Sequence, residues 1–575
     1  MLAPMRPAAL LATALALVAA APAAASSERT GRLLVSLRSA RGVPPRSARE
    51  VPPRAPRDVP PRSARGVPPR AIAAVASRGE VRLSVPSIGL VAVRPRAGES
   101  LTSLRRRLLG DPRVRAVDVE HRAVPRAFAD DPALTDPETA LGTPPDTPVQ
   151  WWAARTGLFD AWDLADGAGS LVAVIDSGIE GPHPELTAKV RDTLDVDPTP
   201  GAGGPLTDEA GHGTHVASLA CAATNNATGI VGAGRDCGLL VAKTDFSDGG
   251  VAEALVEAAD RGADVIAMSF GTDGGREPPQ AMVDAIHYAF ARGVVLVAAA
   301  ADEETEEQGD PANILQPTNT GPDLNQNLGL SVTAATFYDR KASFAGRGSQ
   351  ISLAGYGAFE RGQGPRGLLG AFPAGETSFE RGDEGPPATP PCRCRTTYRG
   401  DNRYAYLQGT SMATGVVAGV AALVRDLNPD IGPAEVVRLL KETARRPAGT
   451  GWSPELGWGI ADAAAATRRA AQLDRTPPRS RLRAPAKIDR RSLTLRWRGS
   501  DPSPEHVVSS GVARYEVWRS VDGLKPVKIT ITRRTHYRLR VRRGRRYAFF
   551  TVAVDGAGNR EAPPPRADAR VRVLR

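Results

Sequence analysis

LVAVIDSGIEGPHPEL (171–186) opens with five apolar residues in a row and sets a carboxylate, Asp176, directly behind them. A half-exposed strand alternates apolar and polar residues, whereas a strand apolar at every position is buried on both faces. The same pattern recurs in LLVAKT (239–244), VIAMSF (265–270), VVLVAAA (294–300), LSVTAAT (330–336) and ISLA (351–354). Helix-like segments lie between several of these runs, at 251–261, 279–292 and 412–427. Buried strands alternating with helices predict an α/β doubly wound domain on a parallel sheet. Ligands of such domains sit outside the carboxyl ends of the strands, so the chemistry belongs just after the apolar runs.

Three segments meet that condition. Asp176 ends the first strand; alone it reads as a turn or helix-capping aspartate. GHGTHVASLA (211–220) sets His212 between two glycines at a helix start, where a lone histidine is more often a packing residue. GTSMATGVVAGVAALV (409–424) puts Ser411 at the N-terminus of an apolar helix. A serine there is ordinarily a cap, yet its backbone N–H and the helix dipole would also hold an oxyanion. A serine hydroxyl is a poor nucleophile near neutral pH and needs a base, and the base needs an orienting acid. Asp, His and Ser in one α/β domain supply all three.

The strings DSG (176–178), GHGTHVAS (211–218) and GTSMAT (409–414) resemble the three signature blocks of subtilisin-like serine proteases, over roughly residues 148–470. The resemblance implies a catalytic domain at 148–472 in which Ser411 attacks the peptide carbonyl, His212 carries the proton and Asp176 holds the imidazolium. It implies a serine endopeptidase working through an acyl-enzyme, with protein or peptide substrates and no cofactor for the chemistry. Structural calcium is common in the family, but spacing assigns no ligand set here, so the metal residues stay open. MSFG (268–271) looks like the edge strand that pairs with the substrate backbone, giving Ser269, Phe270 and Gly271 as binding residues. VAAAAD (297–302) looks like one wall of the pocket for the residue before the scissile bond, giving Ala299 and Ala300.

Two positions depart from the family. Ala301-Asp302 stands where Gly-Asn is usual, and that asparagine donates to the oxyanion. Three readings stay open. Asp302 is kept neutral and donates, which favours activity at lower pH; Asn313 or Asn319 replaces it; or the site is impaired. The last gives the alternative function, a catalytically weak subtilase-like protein that binds protein or cell-wall polymer. Gly415 replaces a proline after GTSMAT, a change expected to touch stability more than chemistry. The acidic stretch Asp302, Glu303, Glu304, Glu306 and Glu307 either attracts basic substrates or is a solvated loop, the second being the commoner case. The Gly- and Pro-rich insert at about 358–405 is expected to be a surface loop.

The remainder of the 575 residues frames this domain. Residues 1–25 combine a basic start, an apolar stretch and Ala23-Ala24-Ala25, the pattern of a secretory signal peptide, so an exported, extracellular or wall-associated protein is expected. Residues 26–128 look like a subtilase propeptide, an intramolecular inhibitor until cut near 126–133. Val-Pro-Pro-Arg repeats at Val43, Val51, Val59 and Val67 interrupt it as an extended insert across 41–70. Residues 476–575 show alternating aromatic-rich strands and resemble a fibronectin type III-like β-sandwich, whose arginines could touch an anionic wall or matrix. The net charge of +11 comes without any nucleic-acid motif, so no nucleic-acid partner is expected. Four cysteines fit an oxidising compartment; Cys221–Cys237 is the favoured pair, and Cys392 and Cys394 stand two apart.

Overall fold

The computed structural model describes residues 29–37, 75, 78–85, 90–96, 101–121, 129–139, 143–201, 203–272, 274–360, 367–383, 391–447 and 449–575. The signal-peptide segment, the Val-Pro-Pro-Arg repeats and residues 122–128 at the expected cleavage region lie outside the described residues. The chain forms two compact units, 1–127 and 128–575.

In the first unit, β1 (Arg29–Leu37), β2 (Glu80–Val85), β3 (Leu90–Arg94) and β4 (Val114–His121) pair antiparallel in the order β2-β3-β1-β4. The helix Leu101–Leu109 closes the core through Leu104 and Leu108, which meet Leu33, Val35, Val91 and Val93.

The second unit holds a seven-stranded, wholly parallel sheet in the order β11-β10-β9-β8-β5-β7-β6. Its strands are β5 (Leu171–Asp176), β6 (Val190–Asp195), β7 (Gly238–Lys243), β8 (Val265–Met268), β9 (Val295–Ala299), β10 (Leu330–Thr336) and β11 (Leu353–Ala358). Six of the seven are the predicted apolar runs. The reason for their continuity is visible in β5: Val172 and Val174 enter one core, Ala173 and Ile175 the other. Helices Thr410–Leu427 and His212–Cys221 cover the first face, and Asp248–Asp260 and Gln280–Ala291 the second. The missed strand, β6, lies at the sheet edge with only Leu194 buried, so VRDTLD carries no apolar run.

The insert at 358–405 is more than the expected surface loop. Its described part forms an antiparallel sheet of β12 (Leu368–Ala371), β13 (Arg395–Tyr398) and β14 (Asp401–Leu407) in the order β12-β14-β13. Leu368, Leu369 and Ala371 are fully buried, which a solvated loop would not allow.

Beyond Thr476, two further sheets share one core. β15 (Arg479–Arg483), β17 (Ser492–Ser500) and β20 (His536–Arg540) form one, in the order β15-β17-β20. The other orders β16 (Lys487–Ile488), β22 (Ala569–Val573), β21 (Arg546–Asp555), β18 (Val512–Val521) and β19 (Val527–Thr532). Leu482, Leu495 and Trp497 from the first sheet meet Val517, Phe549 and Val571 from the second. Cys221 bonds Cys237, and Cys392 bonds Cys394.

Candidate active site

Asp176 is the last residue of β5, and His212 begins the helix that follows β6. The imidazole Nδ1 lies 2.7 Å from Asp176 Oδ1, which also accepts the Ser177 backbone N–H at 2.8 Å. Gly213 makes this approach feasible: a Cβ there would stand 2.2 Å from the Gly178 carbonyl oxygen and 3.1 Å from Asp176 Oδ1. Burial pushes the His212 imidazole down, but the carboxylates of Asp176, Asp208 and Asp302 outweigh it, and its pKa ends above the ordinary 6.5.

Asp208 was not legible as a site residue. Its Oδ1 accepts Ser177 Oγ and the Ala210 and Gly211 N–H groups; its Oδ2 accepts the Thr214 N–H and hydroxyl. The side chain is buried, and these five donors tie the start of the His212 helix to the turn after β5. An acidic residue four positions before His212 was the available signal, and it resembles any loop aspartate.

Ser411 is the second residue of the long helix Thr410–Leu427. Its hydroxyl donates to the Ser269 carbonyl at 2.8 Å, and no hydrogen bond joins Ser411 to His212 among the described residues. Asp302 stands beside the same helix start. Its Oδ1 accepts the Thr410 N–H at 2.7 Å and the Thr410 hydroxyl at 2.9 Å. Its Oδ2 and the Ser411 nitrogen border one space: a Cβ on Gly409 would lie 2.9 Å from the first and 3.6 Å from the second. Crowding by the cleft walls pushes the Asp302 carboxyl up, against the Thr410 donors and the His212 charge, while its outer side faces solvent. Neither of the other two candidate donors lines the space around Ser411 and His212. Asn313 Nδ2 donates to Asp310, and the Asn319 N–H donates to Ser349.

Two adjoining cavities flank these groups. One of about 280 Å³ is lined by His212, Phe246, Ser269, Phe270, Met282 and Phe379, and Phe379 from the insert stands edge-on to the His212 ring at 5.9 Å. The other, about 520 Å³, is lined by Ser411, Asp302, Ala299, Ala300, Glu303 and Glu307. Phe270, Gly271 and Thr272 wall both. MSFG forms no edge strand: β8 lies fourth of seven, and Ser269–Gly271 run on past its end. The acidic stretch divides. Glu304 and Glu306 face Lys341 and Arg347, whereas Glu303 and Glu307 turn to the cavity. Gly415 lies at a helix contact, where a Cβ would meet the Val216 carbonyl oxygen at 2.9 Å.

A sequence model described as the Subtilase family matches residues 167–459. Thermitase of Thermoactinomyces vulgaris is 31% identical over 299 residues, covering 51% of this chain and 86% of that one. An extracellular protease of Xanthomonas campestris is 32% identical over 437 residues, 66% of this chain and 68% of the relative. Among solved structures, a protease from Pseudoalteromonas arctica matches at 27% identity and a TM-score of 0.46, covering 56% of this chain and 97% of that one.

Proposed function

The chain belongs to the subtilase family and is a subtilisin-like serine endopeptidase, and from that premise we propose that Ser411, His212 and Asp176 carry the reaction. Rotation about Ser411 χ1 turns its hydroxyl from the Ser269 carbonyl toward His212 Nε2. The oxygen attacks the substrate carbonyl carbon as His212 takes its proton, and Asp176 stabilises the imidazolium. His212 then gives that proton to the leaving amine, and water releases the acyl group by the same steps in reverse. The 2.7 Å contact between His212 and Asp176, beside the cavity wall whose Ser269 carbonyl engages Ser411, carries this reading.

The oxyanion forms at Gly409, between the Ser411 N–H and Asp302 Oδ2. Among the described residues both bonds accepted by Asp302 fall on Oδ1, which leaves Oδ2 free to carry a proton and donate it. Glu303 and Glu307 favour a basic side chain in the residue before the scissile bond, which enters the cavity beside Ser411.

Residues 1–25 export the protein, 26–128 serve as propeptide and 476–575 as a fibronectin type III-like module. The α+β unit at the N-terminus, the two-sheet core at the C-terminus and an extracellular relative support this organisation. Structural calcium fits at Asp131 and Glu185. Both are buried, Glu185 Oε2 has no close hydrogen-bond partner among the described residues, and burial pushes Glu185 up to about 7 and Asp131 up to about 6. A cation there would contribute to folding of the 224–231 loop rather than to the reaction.

A fluorophosphonate probe tests the assignment. The mature protein is expected to be labelled and Ser411→Ala not; wild type unlabelled at every pH would favour the binding-protein alternative.

A further inference from the structure

The outer face of the β15-β17-β20 sheet carries seven arginines and no acidic residue. The seven are Arg479, Arg481 and Arg483 on β15, Arg496 and Arg498 on β17, and Arg538 and Arg540 on β20, all exposed. They alternate with Leu482, Leu493, Leu495, Trp497 and Leu539, which fill the core, so all seven project to one side. The register sets Arg481 opposite Arg498, Arg483 opposite Arg496, and Arg496 opposite His536.

Like charges directly opposite on neighbouring strands destabilise a sheet. Elsewhere in the module three cations are paired with acids: Lys528 and Arg560 with Glu516, and Arg545 with Asp522. Among the described residues none of the seven face arginines has such a partner; Arg538 donates to the Ser492 hydroxyl. This concentration is a standing cost that an anion would relieve.

We propose that this face docks a linear phosphate polymer of the cell envelope and so retains the protease at the wall. Neighbouring exposed positions are separated by roughly 5 Å across strands and roughly 7 Å along them, a grid that a chain bearing one anion per short repeat can follow. Arginine forks pair with phosphate through two hydrogen bonds. The module's exposed large apolar side chains, Val508, Leu524, Val527, Ile531 and Leu574, all lie off this face, so nothing on it inserts into a bilayer. Among the described residues no Trp, Tyr or Phe ring stands on it to stack bases, and His536 is its one imidazole, which disfavours single-stranded nucleic acid. This docking is independent of how the cleft works.

The test uses the full chain carrying Ser411→Ala, which prevents self-digestion, and measures binding to inorganic polyphosphate against salt. If all seven arginines engage, affinity should fall roughly 10³-fold between 50 and 200 mM salt, a log–log slope of about −5. Replacing Arg481, Arg483, Arg496 and Arg498 together by Gln should bring the slope to about −2 and weaken binding at least tenfold at 50 mM. Its unfolding transition should be unchanged or raised, because the opposed charges are gone. A charge-matched control with Arg191, Arg340, Arg393 and Arg514 replaced by Gln should bind like the parent. An equal loss in this control, an unchanged slope in the face variant, or a wild-type preference for anionic phospholipid vesicles or single-stranded DNA at equal phosphate would overturn the proposal.

Discussion

Asp302→Asn exchanges one carboxylate oxygen for an amide nitrogen in the cleft. The carbonyl oxygen keeps the two Thr410 bonds now made to Oδ1, and the amide takes the place of Oδ2 beside the Ser411 N–H. Fold and binding should therefore survive, and the pH profile should change. If Asp302 is the oxyanion donor proposed above, the wild-type productive state needs His212 neutral, to accept the Ser411 proton, and Asp302 protonated, to donate to the oxyanion. The groups facing Asp302 are His212, the Thr410 donors, and Glu303 and Glu307 in the same cavity; Asp176 and Asp208 face His212 from behind. His212 and Asp302 raise and lower one another, so the two limits belong to the pair. Because the active form holds one proton between them, kcat/KM should rise as the first proton leaves and fall as the second leaves. That fall lies above pH 6.5, since the carboxylates hold His212 above its ordinary value. Above it activity drops about tenfold per pH unit, reaching about 10²–10³, the worth of one oxyanion donor, before levelling off. The asparagine variant needs only a neutral His212. Its profile should rise once, at a pH between the two wild-type limits because His212 then titrates beside a neutral neighbour, and stay flat to alkaline pH, exceeding wild type there by about 10²-fold. Initial rates on one peptide substrate from pH 4 to 10 give both curves. A wild-type profile that rises and stays flat, or an alkaline fall that persists in Asp302→Asn, would refute the donor role and leave the labelling of Ser411 untouched.

Asp208→Asn turns one acceptor oxygen into a donor facing at least two N–H or O–H groups; with the Thr214 hydroxyl free to reverse, about 2–4 kcal/mol of stability should be lost. Denaturant unfolding in the Ser411→Ala background measures it, together with kcat/KM in the active protein, which should fall as His212 loosens; no change in either would remove Asp208 from the site. Glu303→Gln with Glu307→Gln should erase a preference for Arg over Phe before the scissile bond, read as the ratio of kcat/KM for two matched peptides. Equal ratios in wild type and variant would return the acidic stretch to the role of a solvated loop.

Burial on both faces leaves a mark that needs no structure to read. Val172 to Ile175 must all be apolar because alternate residues enter opposite cores, so the parallel sheet and the positions of Asp176, His212 and Ser411 relative to it followed from the chain alone. β6 left no such mark, because a half-buried edge strand tolerates Arg191 and Asp192. The insert was misread because glycine and proline at its ends obscured LLGA, which tertiary contacts bury as β12. Asp208 and the split among the acidic residues could be decided only in space. Whether a carboxylate caps a helix, pairs with Arg347 or faces the nucleophile depends on which donors come within 3 Å, and residues far apart in the chain supply them. The arginine face is of the same kind: alternation placed its residues outward, but only strand register set Arg481 against Arg498 and made their repulsion a property of the fold.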